Sequence, residues 1–241
     1  MNAPTLFHIT HWKSGSQWIH RILLNCVPES EIVRPEVDEV QFLQRSLETG
    51  KVYPTVYVTR EQFYSVALPK TWKRFVIIRD LRDTLVSGFF SIKFSHPAID
   101  LRLTKWREAL HEMDETGGLI YLMDEWLPSS AKIQESWQRS NEPIYRYEEL
   151  LNNDVEILEN ILLKECQLPV EPARFRQIVL GCRFEQMSGG RKPGQENIMA
   201  HERKGVAGDW RTHFDRRATQ AFKERFATLL IKTGYEKDTN W

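Results

Sequence analysis

Lys13 stands two residues ahead of Gly15 in the run Thr10-His11-Trp12-Lys13-Ser14-Gly15-Ser16-Gln17-Trp18, where small hydroxyl residues surround one glycine and one cation. The apolar, β-prone segment Leu6-Phe7-His8-Ile9 precedes it, and Ile19, Ile22, Leu23 and Cys26 follow at helical spacing. A strand that turns through glycine into a helix aims backbone N–H groups and the positive helix end at the loop, so a phosphate or sulfate is the natural occupant. Two further segments carry anion-binding chemistry. Phe75-Val76-Ile77-Ile78, a continuous apolar run suited to a buried parallel strand, ends in Arg79-Asp80-Leu81-Arg82-Asp83-Thr84-Leu85-Val86-Ser87. There Arg79 offers a guanidinium fork at a strand end and Ser87 a hydroxyl two turns into the next helix, a pair that can grip a phosphate. Arg203-Lys204-Gly205-Val206-Ala207-Gly208-Asp209-Trp210 sets two adjacent cations before a glycine, as a loop closing over an anion requires.

The order of residues separates two nucleotide chemistries. A nucleoside-triphosphate loop, G-x-x-x-x-G-K-[ST], places its lysine after the second glycine, whereas Lys13 precedes Gly15. This order resembles the Y-P-K-S-G-T-T-W loop of the sulfotransferases that use 3′-phosphoadenosine 5′-phosphosulfate (PAPS). Lys13, Ser14, Gly15 and Trp18 match, Ser16 and Gln17 stand for the two threonines, and His11-Trp12 replace Tyr-Pro. The Arg79–Ser87 segment resembles the same family's R-[DN]-P-[KR]-D-V-x-V-S, and Arg203–Trp210 its R-K-G-x-x-G-D-W. Tyr147-Glu148-Glu149 is similar to its Y-E-D, and Cys182–Met187 to its T-S-F-x-x-M with Cys182 for a threonine. The likeness runs from Leu6 to about Phe214. It implies that residues 13–17 hold the 5′-phosphate with Lys13 at the bridging oxygen, and that Arg79, Ser87, Arg203, Lys204 and Gly205 hold the 3′-phosphate. It implies too that Trp18 and Phe184 sandwich the adenine, with Tyr147 at the base edge, and that no metal takes part.

In the eukaryotic cytosolic members a K-T-H segment supplies the general base, and the matching residues here are Val58-Thr59-Arg60. Arginine cannot act as a base at ordinary pH, but Arg60 can bind sulfuryl oxygens. Three groups can take the acceptor's proton instead. His96, in an H-P pair that resembles one lining the family's acceptor pocket, is preferred to His11 beside Lys13, and both to Glu61. Trp12, Phe63, Tyr64 and Phe94 suggest an apolar or ring-bearing acceptor with a hydroxyl or amine. Two rival readings are a protein that binds PAPS or its spent bisphosphate without transfer, and a nucleoside kinase. The second would need a lysine after the glycine. His8 and His11 are three apart without cysteine partners or a third spaced ligand, so no metal site is expected.

These residues need a scaffold of strands that end near one another. Strands are expected at about 5–10, 55–59, 74–79 and 143–147, each followed by helical pattern. This is the alternation of an α/β chain, here a P-loop-like three-layer fold with a parallel sheet flanked by helices. Residues 97–140 read as a cap of two helices with Trp106, Leu110, Met113, Leu122, Trp126 and Trp137 as core, and Gly189–Gly194 as a breaker-rich loop. All 241 residues fit one domain. Lys and Arg total 33 and Asp and Glu 33, which gives no net field for nonspecific nucleic-acid binding, so the expected partner is a small molecule. Three scattered cysteines, no leader pattern and no long apolar window fit a cytoplasmic protein without a membrane span. The family's dimer segment is not reproduced near Arg211–Gln220, which leaves the oligomeric state open.

Overall fold

A computed structural model describes residues 4–35, 39–97, 100–139 and 142–241. Ala98, Ile99 and Ser140, at the two ends of the expected cap, lie outside the described residues. In chain order the elements are β1 (Thr5–Ile9), α1 (Ser16–Cys26), α2 (Glu39–Leu43), β2 (Val52–Val56), α3 (Arg60–Tyr64), β3 (Trp72–Ile78) and α4 (Leu81–Phe90). Then follow α5 (Leu101–His111), α6 (Glu115–Glu125), α7 (Leu127–Gln138), β4 (Ile144–Arg146), α8 (Tyr147–Leu158), α9 (Pro172–Gly181), α10 (Phe184–Met187) and α11 (Arg216–Lys232). They divide into two compact units: Met1–Arg79 with Lys132–Arg183, and Asp80–Ala131 with Phe184–Trp241.

The first unit holds a four-stranded sheet, all parallel, in the order β2-β1-β3-β4. Because β2 and β3 flank β1 on opposite sides, the order reverses between β1 and β3, and ligands in such sheets bind beyond the strand ends at that reversal. Successive strand residues face opposite sides, and both faces are covered. Leu6, Val52, Phe75 and Ile77 pack with Ile19, Ile22 and Leu23 of α1, Leu150 and Leu158 of α8, and Phe175 and Val179 of α9. The other face is aromatic: Phe7 stacks on Tyr53 at 4.8 Å and meets Phe63 edge-on at 5.3 Å, and Phe63 meets Trp137 of α7 at 5.8 Å. Helix α1 ends because Val27 is extended and Pro28 follows, which cannot continue the ladder.

The expected second strand was displaced. Thr55–Thr59 reads as the apolar run, yet the ladder spans Val52–Val56 and includes Pro54. Proline is tolerated because β2 is an edge strand, and the Pro54 carbonyl accepts instead from His8 Nδ1 at 2.7 Å.

In the second unit, α4 and α6 approach through glycines. A methyl at Gly118 would lie 2.7 Å from a Phe89 ring carbon, and one at Gly88 2.4 Å from the Trp126 ring. The cap has three helices rather than two, because Trp126 leaves helical geometry and Leu127-Pro128 starts α7 anew. Trp106, Leu110, Leu122 and Trp126 are buried as expected. Aspartates begin these helices: Asp100 accepts from Leu103 N, Asp114 from Gly117 N and Asp215 from Ala218 N. Buried Arg82 is clamped by Asp80 and Glu236, with the Trp210 and Trp241 rings at 4.0 and 4.4 Å.

Candidate active site

The β1–α1 loop is held in shape from both sides. Thr10 Oγ1 donates to the Ile77 carbonyl at 3.0 Å and touches the Ser14 hydroxyl, which donates to the His11 carbonyl at 2.5 Å. Ser14 therefore spends its side chain on the loop, and the group it can offer an anion is its backbone N–H. Lys13 is left-handed with φ 64°, rare for a residue with a Cβ, and Gly15 is left-handed at φ 87°. Gly15 caps α1 with no side-chain hydrogen bond and no acidic residue in the first turn. The first-turn N–H groups of Ser16 and Gln17 thus face the loop with the positive helix end behind them.

Arg79, just past β3, closes the other wall. Its Nη1 donates to the Lys13 carbonyl at 2.9 Å, and its guanidinium lies 4.7 Å from the Tyr147 ring centroid. Tyr147, the first residue of α8, meets Trp18 edge-on at 6.1 Å and lies over Gly15, where a methyl would come within 2.7 Å of two ring carbons. Trp18 Nε1 is buried without a hydrogen-bond partner in the described structure, an orphan donor that a nucleotide could satisfy. His11 is fully buried, and burial lowers its pKa to about 4. Its Nδ1 donates to the Trp12 carbonyl at 3.0 Å while Nε2 faces Arg79 N–H and Gln134 Nε2.

Arg60 opens α3, where Thr59 and Gln62 form a reciprocal capping box. The Arg60 backbone N–H donates to Ser136 Oγ at 3.0 Å; its guanidinium lies 4.9 Å from the Tyr64 ring and 3.4 Å from Glu142. Trp12 packs against Tyr57 at 6.2 Å. Phe63, read from the sequence as an acceptor-lining ring, is wholly buried in the aromatic core.

Within the second unit, Arg203 lies 4.5 Å from the ring centroid of Phe90, one turn after Ser87 on α4. Gly205, left-handed at φ 67°, passes so close to Phe184 that a methyl would meet the ring at 2.4 Å. The 203–210 loop is fastened by Asp83, whose carboxylate accepts from Gly208 N at 2.6 Å and Trp210 N at 3.0 Å. Arg203 pairs with Glu196 and Asp209, and Lys204 with Asp209 at 2.5 Å. Burial alone would raise the Asp209 carboxyl, but the His213 ring 3.4 Å away and the hydrogen-bonded Lys204 and Arg203 hold it far below the usual carboxylate range. Ligand-capable atoms of Glu196, Asp209 and His213 lie within 4.8 Å of one another, yet the cation among them is Arg203, so the cluster is an ion-pair network. His96 caps a π-helical turn (Ser91–Ser95), with its Nδ1 2.8 Å from the Pro97 carbonyl.

Contacts join His11, Lys13, Gly15, Trp18, Arg79 and Tyr147 to one another, and Phe184 to Gly205, whereas Arg60 and His96 contact other residues. His11, Lys13–Trp18, Arg60, Arg79 and Tyr147 belong to the first unit; Ser87, His96, Phe184 and Arg203–Gly205 belong to the second. Sequence reasoning passed over Gln134, Asp83 and Asp209 as working residues. Asp83 and Asp209 stood inside quoted motifs, so the signal was present; an isolated glutamine in α7 gave none.

Residues 4–234 match the family model described as the sulfotransferase domain. The chain is 25% identical over 245 residues to human Sulfotransferase 2A1, covering 90% of this chain and 81% of that protein. It is 23% identical over 241 residues to 3-alpha-hydroxysteroid sulfotransferase of Cavia porcellus, covering 89% and 79%. Among solved structures, mouse sulfotransferase SULT7A1 complexed with PAP aligns with a TM-score of 0.64 at 20% identity, over 98% of this chain and 90% of that one. Retinol dehydratase in a complex with retinol and PAP aligns with a TM-score of 0.54 at 16% identity, over 93% and 82%. With a parallel sheet flanked by helices and the family model spanning nearly its whole length, the chain belongs to the PAPS-dependent sulfotransferase family.

Proposed function

We propose that this protein moves the sulfuryl group of PAPS to a hydroxyl or amine of a small, ring-bearing acceptor. The observation that carries the reading is the Lys13 loop. It joins an uncapped helix start, two left-handed residues and an orphan indole N–H at the end of the central strand, a cradle suited to an anionic adenine nucleotide. PAPS supplies the sulfuryl group and a bisphosphate leaving group. In this reading the N–H groups of Ser14, Gly15, Ser16 and Gln17 receive the 5′-phosphate, and the Lys13 ammonium steadies the charge that develops on the departing oxygen. The family resemblance assigns Arg79 of the first unit, and Ser87, Arg203, Lys204 and the Gly205 backbone of the second, to the 3′-phosphate, and Trp18, Tyr147 and Phe184 to the adenine. Arg60 is assigned to the sulfuryl oxygens. His96 is assigned to the acceptor's proton, because Nδ1–H donation to Pro97 puts the ring's lone pair on Nε2.

The finer architecture belongs to the same proposal: a P-loop-like three-layer fold, one sulfotransferase domain over residues 1–241, and a helical cap over about 97–140. No described helix is long and apolar enough to cross a membrane. The free thiols of Cys26, Cys166 and Cys182 support a cytoplasmic location. A relative named for 3-alpha-hydroxysteroids, with Trp12, Tyr64 and Phe94 here, supports a ring-bearing alcohol as acceptor.

Calorimetric titration with the bisphosphate PAP and with AMP tests the donor. The reading requires PAP to bind at least tenfold more tightly, since one charge-assisted hydrogen bond contributes ~1.5–3 kcal/mol. Equal affinities would remove the 3′-phosphate from the account.

A further inference from the structure

The geometry points to His11 and Gln134 as a buried positioning pair that fixes Arg79, and through it the Lys13 loop, rather than to His11 as a proton acceptor. This rests on the PAPS reading of the loop and adds how its anion-binding arginine is aimed.

Gln134 Nε2 donates to the Arg79 carbonyl at 2.6 Å and lies 2.8 Å from His11 Nε2. The Arg79 backbone N–H donates to the same His11 nitrogen at 3.2 Å. Both backbone polar groups of Arg79 are therefore held by side chains at the point where β3 has ended and ladder partners run out. His11 and Gln134 are both fully buried. The tautomer follows from the partners: with Nδ1–H given to the Trp12 carbonyl, Nε2 must be the acceptor. Burial keeps the ring neutral, so that acceptor survives across the physiological range. The lone pair a general base would use already receives two N–H groups. With its backbone fixed, Arg79 can extend its guanidinium to the Lys13 carbonyl at 2.9 Å, beside the Tyr147 ring. Lys13 keeps its left-handed backbone under that bond.

The pair's job follows from residue type. Gln134→Leu keeps the volume but leaves the Arg79 carbonyl without its donor in a buried place. His11→Phe removes the acceptor, whereas His11→Gln can present Oε1 near the same position. Binding of PAP and AMP is measured by calorimetry for the wild type and the three variants, with kcat for PAPS turnover and thermal melting alongside. We expect Gln134→Leu and His11→Phe to lower the PAP-to-AMP affinity ratio tenfold or more while AMP affinity changes less than threefold. His11→Gln should restore the ratio and keep kcat within about tenfold, since loss of a general base costs ~10²–10⁴-fold. If the wild type shows no preference for PAP, the donor reading itself fails. If the wild type prefers PAP and both disruptive variants keep that ratio, or lose PAP and AMP binding equally, the positioning role is overturned. A kcat loss beyond a hundredfold in His11→Gln with unchanged binding overturns it too, in favour of a base. Should Gln134→Leu fail to fold, the contrast of His11→Phe with His11→Gln decides.

Discussion

Gly15 meets two demands at once, and a matched set of alanine substitutions separates them. Its φ of 87° is open to glycine but costs an L-residue ~1–2 kcal/mol. An added methyl would also lie 2.7 Å from Cδ2 and Cε2 of Tyr147, well inside ordinary contact distance, so the ring must move. Overpacking of this kind costs ~1–3 kcal/mol. The ring is not at liberty to yield, for Tyr147 also contacts Trp18 and lies against the Arg79 guanidinium. Gly15→Ala should therefore lose ~2–5 kcal/mol of stability. Gly189 has a comparable φ of 75° with nothing near its would-be methyl, so Gly189→Ala should lose only ~1–2 kcal/mol. Gly181, with open space and no positive φ, should accept alanine at no loss. Urea unfolding of the four proteins, with PAP titrations alongside, measures the differences. If Gly15→Ala loses no more stability than Gly189→Ala, close approach of Tyr147 is not what demands glycine here, and the packing argument for the loop is wrong.

Acid should unfold the protein early through two buried histidines. Burial lowers the folded pKa of His8 and His11 to about 4 from 6.5, so the unfolded chain binds more protons between those values and stability falls as pH drops through that window. The loss at pH 5 is ~2 kcal/mol for each ring, and His8→Leu should remove about half of the drop seen between urea unfolding at pH 7 and at pH 5. His213, raised chiefly by the Asp209 carboxylate 3.4 Å from its Nε2, works the other way: its contribution is full below pH 6.5 and fades as pH rises through its folded pKa. Arg82→Met should cost ~3–5 kcal/mol, because it leaves the Asp80 and Glu236 carboxylates without their common cation. A loss below 1 kcal/mol in the same assay would show that the clamp contributes little.

What could be read from the sequence was whatever local pattern fixes. Phe75–Ile78 is apolar throughout and Leu6–Ile9 apart from His8, and Ile19, Ile22, Leu23 and Cys26 mark one helix face, so β1, β3 and α1 fell where expected. The second strand, expected at about 55–59, lies at Val52–Val56 with Pro54 inside it: proline's missing N–H matters only when both sides of a strand must pair, and edge position is a property of the assembled sheet. The cap's third helix was signalled by Pro128 in the first turn of α7, but the buried aromatics run on past Trp126 and mask the break in the pattern. The site divides along the same line. Glycine, lysine and arginine types revealed the anion-binding loops. The partner that defines His11 lies 123 residues away in Gln134, and Glu142 reaches Arg60 from 82 residues away. No periodicity or spacing encodes such pairs; they exist only once the sheet has formed.

Transfer of labelled sulfuryl from PAPS to a panel of phenols, ring alcohols and amines, run with the wild type and with Lys13→Met, measures whether the Lys13 loop carries sulfuryl transfer. Label should reach an acceptor with the wild type, and Lys13→Met should transfer it at least a hundredfold more slowly at a PAP affinity within tenfold of wild type, because the ammonium acts mainly on charge that appears as the bond breaks. Undiminished transfer by Lys13→Met, or PAP binding by the wild type with no label reaching any acceptor class, would contradict that role.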